Sequence, residues 1–322
     1  MIELLPKNTK IDFVRLFPFA VMFSLLLLGL AIFKWNSTGE SKFGIDFVGG
    51  HEILVRIQTP TTADELRALF SAQGLDNASI QSFEVGSNDY SVRLSGQVVK
   101  ANADEVLAPA EEIRRIREKV QQVLNVKFAS AYEIQQSDFI GPSIGQELAM
   151  RALWAVMLGL VGILIYVTIR FEFAFALGAI VALFHDVIIS VGIYLLAGHE
   201  LNSAALAAVL TIIGYSVNDT IVIFDRVREE IIKRKDFDLR QVLNEANNAC
   251  LSRTIITGGL TMITALSLFY IGGGAISDLS LLLVAGTIVG SYSTIFIACP
   301  VVLFWDQFRN RRQVATASAA KA

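Results

Sequence analysis

Apolar residues follow two different patterns along this chain. Six stretches are apolar almost throughout, at about 16–33, 149–169, 173–197, 203–224, 254–271 and 279–305. Each reaches, or nearly reaches, the roughly 20 residues that a helix needs to cross a bilayer. The third is long enough to tilt, and Pro300 predicts a kink in the sixth. Trp35, Trp154 and Trp305 lie at or near segment ends, where interfacial anchors sit.

Residues 36–147 are patterned at shorter range. Residues 52–58 alternate like a half-buried strand. Thr62-Ala63-Asp64-Glu65 is a capping box opening a helix that stops near Gly74. Segments 80–85 and 90–94 flank the turn signal Gly86-Ser87-Asn88-Asp89. Residues 103–124 repeat apolar positions at helical spacing, and 126–134 read as a closing strand. The order βαββαβ predicts a ferredoxin-like α+β unit. The chain therefore divides into an N-terminus with its first span, 1–35; one extramembrane domain, 36–147; five further spans, 148–306; and a tail, 307–322. Within the spans, 226–252 reads as a basic linker of two short helices, with Asp238 capping the second. The small, polar residues 314–322 predict no fixed structure.

Charge adds orientation. The hairpins at 198–202 and 272–278 hold no Lys or Arg. The opposite side collects Lys7, Lys10, Arg15 and Arg170, seven basic residues from Arg226 to Arg253, and four from Arg309 onward. By the positive-inside rule that side and both termini are cytoplasmic, and the large domain is outside. Lys7, Lys10 and Arg15 precede an apolar run too long for a signal-peptide core, so the first span is expected to be a retained signal anchor. A formal net charge of −3 gives no basic excess for nucleic acid. Cys250 and Cys299 fall in the linker and the last span, which makes a disulfide between them unexpected.

The spans hold more polar groups than anchoring requires. Asp219 lies inside the fourth, where a carboxylate costs about 2.5–3.5 kcal/mol on insertion scales. Thr211, Tyr215 and Asn218 recur at helical spacing beside it, with Thr220 next in sequence. Arg253, Thr257, Thr261 and Thr264 form one stripe in the fifth span. His185 and Asp186 sit in the middle of the third, with Ser190 and Tyr194 continuing the Asp186 face. Thr287, Ser291 and Thr294 line up beside Gly286 and Gly290 in the sixth. These residues suggest a proton path centred on Asp219, with Arg253 modulating its charge. A structural reading stands beside it: hydroxyls as packing glue, Arg253 snorkelling to headgroups, and His185 with Asp186 as a satisfied pair.

No metal, nucleophile or phosphate-loop motif accompanies them. His51 and His199 stand alone, and Gly272-Gly273-Gly274 lacks a phosphate loop's partners. No enzyme activity, cofactor or metal is expected.

Several of these segments resemble the SecF side of the SecD/SecF family of bacterial protein-export subunits, within the RND superfamily. They are Phe43-Gly44-Ile45-Asp46-Phe47-Val48-Gly49-Gly50, Ile140-Gly141-Pro142-Ser143-Ile144-Gly145 and Ala182-Leu183-Phe184-His185-Asp186. The most specific is Gly214-Tyr215-Ser216-Val217-Asn218-Asp219-Thr220-Ile221-Val222, with Arg253-Thr254 following. The likeness runs from about residue 10 to 308; Val48 departs from an expected Thr or Ser. It implies half of an RND-type bundle, a SecD partner, and association with the SecYEG channel and accessory proteins such as YajC and YidC. It also implies that Asp219 and Arg253 serve proton conduction, and that the external domain draws unfolded preprotein outward on the proton-motive force. Two alternatives remain open at this level: a proton-driven small-molecule efflux subunit of RND type, and a passive scaffold.

Overall fold

A computed structural model of the chain describes residues 10–76, 78–83, 87–95, 109–129, 131–234 and 236–319. Six helical segments in it are long and apolar enough to cross a membrane. They are α1 (Phe13–Ser37), α5 (Pro142–Arg170), α6 (Phe173–Leu196), α7 (Ser203–Lys233), α8 (Leu239–Ile271) and a sixth segment, Gly274–Arg309. The sixth has α9 (Gly274–Ser293) and α10 (Cys299–Ala319) as its two α-helical parts. Between them Thr294–Ala298 forms a π turn. Pro300 explains it: the residue offers no N–H to the preceding turn and its ring crowds the carbonyl four residues back, so the helix widens there.

The spans bury apolar side chains among α6, α7, α9 and α10, including Ala182, Ile212, Phe224, Leu282 and Val302. Small residues let backbones approach. A Cβ on Gly192 of α6 would lie 2.3 Å from Ala31 Cβ of α1, and one on Gly178 would lie 2.8 Å from the Ala298 carbonyl.

Between α1 and α5 come α2 (Ile45–Val48), β1 (Gly50–Ile57), α3 (Ala63–Ala72), β2 (Ala78–Ser82), β3 (Asp89–Ser95), α4 (Pro109–Phe128) and β4 (Tyr132–Ile140). The strands form one antiparallel sheet in the order β2-β3-β1-β4, with a register shift between Leu54 and Val55. Alternation sorts its two faces. Ile53, Val55, Ile80, Val92 and Leu94 pack with Leu66 and Phe70 of α3 and Ile116, Val120 and Leu124 of α4. Thr62 caps α3, its hydroxyl accepting from Glu65 N at 3.2 Å.

Several local expectations change. Val126, Lys127 and Phe128 continue α4 rather than opening a strand, because Phe128 extends the helical series Val120, Val123, Leu124 into the core. The closing strand accordingly sits at Tyr132–Ile140. The start expected for α4 near residue 103, and Gly86 of the hairpin turn, lie outside the described residues. The basic stretch 226–252 is not a separate linker of short helices. It is the end of α7 and the start of α8, with a break at 234–238. Ion pairs of Arg226 with Glu229 and Glu230, and of Lys233 with Glu230, at helical spacing carry α7 onward. Asp238 does cap α8, accepting from Arg240 N at 3.0 Å. Residues 314–319, expected to lack structure, extend α10, in keeping with the helix propensity of their alanines.

Candidate functional site

Two short motifs set the end of α7, the helix that carries Asp219. In the first, Gly44 N donates to Leu201 O at 2.8 Å, and Asp46 Oδ2 accepts from Ser203 N at 2.8 Å. The second runs from the last residue of β4 into α5, where a Cβ on Gly145 would lie 2.9 Å from Gly49 N. Gly49 holds φ at +80°, a conformation that favours glycine. Asn202 completes the cap of α7, its side-chain oxygen accepting from Ala205 N at 2.8 Å. The helix that starts from this cap is continuous through Asp219 to Lys233.

Asp219 is 7% exposed. Thr254 of α8 donates to its Oδ1 at 3.2 Å, while Oδ2 has no hydrogen-bond partner among the described residues. Arg253 is exposed and forms no ion pair with Asp219 within 4.0 Å. Thr257 turns its hydroxyl back to Arg253 O at 2.9 Å. Asn218 and Thr211 are exposed on α7, and Tyr215 is half-buried over Gly258 of α8, its hydroxyl 3.5 Å from where a Cβ would stand. Together α7 and α8 present an outward polar face of Thr211, Asn218, Arg253, Thr257 and Thr264, with the carboxyl of Asp219 just behind it.

The remaining sequence candidates lie on the opposite side of α7. Asp186 is fully buried. His185 Nδ1 meets its Oδ1 at 2.9 Å, Ser293 donates to its Oδ2 at 2.8 Å, and Ser216 also donates to Oδ2. Thr220 bonds Ser216 O at 3.1 Å and Thr294 Oγ1 at 3.2 Å. His185 Nε2 and Ser190 Oγ are buried without a hydrogen-bond partner among the described residues. A buried carboxylate here is held by three side chains from three spans, which fixes α6, α7 and α9 against one another.

The eight candidates thus form two groups flanking α7. Asp219, Asn218, Tyr215, Arg253 and Thr257 share the α7–α8 side; His185, Asp186 and Thr220 share the interior. Thr254, Ser216 and Ser293 join these groups without having been singled out as site residues. Ser216 and Thr254 stand in recognisable motifs, but a helical wheel drawn through Arg253 passes Thr254 by. His51 and His199 each meet a carboxylate: Glu112 at 3.5 Å and Asp278 at 2.7 Å. Chemically, the α7–α8 site can hold and release one proton on a carboxyl beside a threonine hydroxyl and an arginine. Among the described residues no group of three or more His, Cys, Asp or Glu is placed to hold a metal.

Residues 119–308 match a family described as the C-terminal part of the protein export membrane proteins SecD/SecF. The chain is similar to the protein translocase subunit SecF of Desulfurispirillum indicum, 36% identical and covering 92% of this chain and 91% of that one. It is likewise similar to the SecF subunit of Calditerrivibrio nitroreducens, 37% identical over 96% and 99%. Among solved structures it resembles SecDF, a translocon-associated membrane protein from Thermus thermophilus, at 30% identity and a TM-score of 0.78. That likeness covers 94% of this chain and 40% of the SecDF chain. A SecDF structure in a super-membrane-facing form gives a TM-score of 0.67 at 30% identity, again spanning 40% of that longer chain.

Proposed function

The chain belongs to the SecD/SecF family of protein-export membrane proteins, and on that premise we propose that it is an auxiliary translocase subunit that works with SecD to promote preprotein export, using the proton-motive force. The observation carrying the proposal is Asp219: a carboxyl at membrane depth, buried, with one oxygen bonded to Thr254 and the other without a partner among the described residues. A purely structural residue would have no need of a charge there. One charge crossing 100 mV carries about 2.3 kcal/mol, enough to bias a two-state arrangement of helices.

The outward polar face of α7 and α8 supports a membrane partner. Lipid would leave the Asn218 amide and the Arg253 guanidinium facing hydrocarbon, whereas a second helical bundle could pair them. SecD is the partner we assign to that face, with this chain as one half of an RND-type bundle. The element order βαββαβ and the strand order support a ferredoxin-like external domain. We assign the chain to the bacterial inner membrane, with both termini cytoplasmic and the sheet domain outside. SecYEG, accessory proteins such as YajC and YidC, and unfolded preprotein complete the assembly. The chain acts without an active site of its own and without nucleic acid. The test is preprotein export in cells carrying Asp219→Asn, with and without a membrane potential. Export falls to the level seen without the subunit if the reading holds; unchanged, potential-sensitive stimulation would refute it.

A further inference from the structure

The face of the external sheet turned away from α3 and α4 carries Glu52, Ser79, Gln81, Ser91 and Arg93, an alternation that normally marks a solvated face. Arg93 is nevertheless only 8% exposed. Its guanidinium reaches Glu52 Oε1 at 2.9 Å, Gln81 Oε1 at 3.3 Å and, outside the sheet, Asp278 Oδ2 at 3.6 Å.

Asp278 lies in the first turns of α9 and is 3% exposed. Its Oδ1 meets His199 Nδ1 at 2.7 Å, and its Oδ2 accepts from Asn202 Nδ2 at 2.6 Å. Asn202 is the residue that caps α7. One carboxylate therefore joins the external sheet, the loop between α6 and α7, the cap of α7 and the start of α9. Two further hydrogen bonds reinforce the junction: Gly274 N donates to Phe83 O at 2.7 Å, and the Gln81 side-chain Nε2 donates to Gly198 O at 3.2 Å. The two helices held here are functionally placed. Asp219 follows Ser203 by sixteen residues of unbroken helix. At the α-helical rise this is a distance of about 24 Å along the axis. Ser293, which bonds Asp186, lies at the far end of α9.

We propose that Arg93 and Asp278 form the joint through which the membrane helices move the external domain, so that a shift of α7 at the proton site, or of α9 at the Asp186 cluster, is delivered to the sheet rather than lost in a flexible linker. The proposal rests on the export reading given above. Arginine suits the role because its planar fork serves Glu52, Gln81 and Asp278 together, which the single point charge of lysine cannot do. Arg93 and Asp278 are positioning residues, remote from the proton itself.

The test uses the full chain assembled with its membrane partner. Asp278→Asn keeps an oxygen to accept from Asn202 and turns an amide N–H toward His199 Nδ1, but removes the charge; Arg93→Lys keeps charge and loosens the fork. Three quantities are read: preprotein export, proton conduction by the reconstituted complex, and the spread of distances between spin labels at the exposed positions Gln73 and Ile271. Both variants are expected to lower export at least tenfold, to keep proton conduction within about twofold of wild type, and to broaden the label distances. The double variant is expected to be no worse than the poorer single one, because both break one joint. Unchanged export, or export and conduction falling in proportion, would overturn the proposal. Unbroadened label distances would also overturn it, whatever the chain does for export. Proton conduction that survives Asp219→Asn would instead count against the functional reading and leave the label measurement to judge the joint.

Discussion

Gly145→Ala is a one-carbon change at the contact between two motifs. Gly145 is the fourth residue of α5, after Pro142. A Cβ there would stand 2.9 Å from Gly49 N, 3.1 Å from Phe47 O and 3.2 Å from Phe47 C. All three are backbone atoms, so no side chain can swing aside. Ordinary contacts lie near roughly 3.5–4.0 Å, and α5 must retreat from α2 by roughly 0.6–1.1 Å. Overpacking of this kind costs about 1–3 kcal/mol. Gly162→Ala is the matched control on the same helix, with nothing within 4 Å of its new Cβ. It gains helix propensity of up to about 1 kcal/mol. Gly145 is helical too and shares that gain, so the two variants should differ by the overpacking cost alone, roughly 1–3 kcal/mol. Unfolding of the purified protein in mixed detergent micelles measures the gap. Export should follow the same order, because α2 also carries Asp46, which bonds the first residue of α7. Equal stability of the two variants would refute the packing argument.

Three other outcomes follow from single side chains. Thr254→Val removes the threonine hydroxyl that donates to Asp219. It is expected to lower coupled export about tenfold, since a hydrogen bond to a charged group contributes about 1.5–3 kcal/mol; Thr254→Ser should restore it. Burial pushes the Glu200 carboxyl above its ordinary range, with the Ser79 hydroxyl and Arg93 opposing. Its stabilising contribution is then present below about pH 4.5 and lost as pH rises through the raised value. Glu200→Gln should consequently be more stable than wild type at neutral pH, and thermal melts should show the difference closing on acidification. His51 is fully buried against Phe139, and burial holds its imidazole below the usual value of 6.5 despite Glu112. Here the sign reverses: stability is present above 6.5 and lost as pH falls through the lowered value. Melts of wild type should decline across that window, and His51→Gln should flatten the decline.

The spans and the strand-helix order were legible because each follows one dominant period; the bounds differ most at α4 and β4, at the start of α5, and where α7 and α8 run on beyond their apolar stretches. At α4 and β4 the run from Val126 to Ile134 satisfies either period locally, and only Phe128 reaching the core decides. The polar face of the sheet was not legible. Glu52, Ser91 and Arg93 alternate with core residues in the manner of a wet surface, and nothing local reveals that span ends cover them. Asp219 stood out because its depth in an apolar run is itself a physical anomaly. Its partner Thr254 did not, because the stripe from Arg253 through Thr257 and Thr264 turns outward, one residue off the contact. The basic stretch 226–252 misled for a different reason: charge marks the membrane boundary but not the end of a helix, and the ion pairs of α7 carry it past the boundary.

Proton binding and release by one carboxyl is the central step, and proton flux measures it directly. The complex is reconstituted into vesicles with an imposed pH gradient and potential, and internal pH is followed with a trapped dye. Wild type is expected to dissipate the gradient faster than protein-free vesicles, and Asp219→Asn, folded and assembled to the same extent, is expected to return to the protein-free rate. Equal flux from wild type and Asp219→Asn would contradict the account.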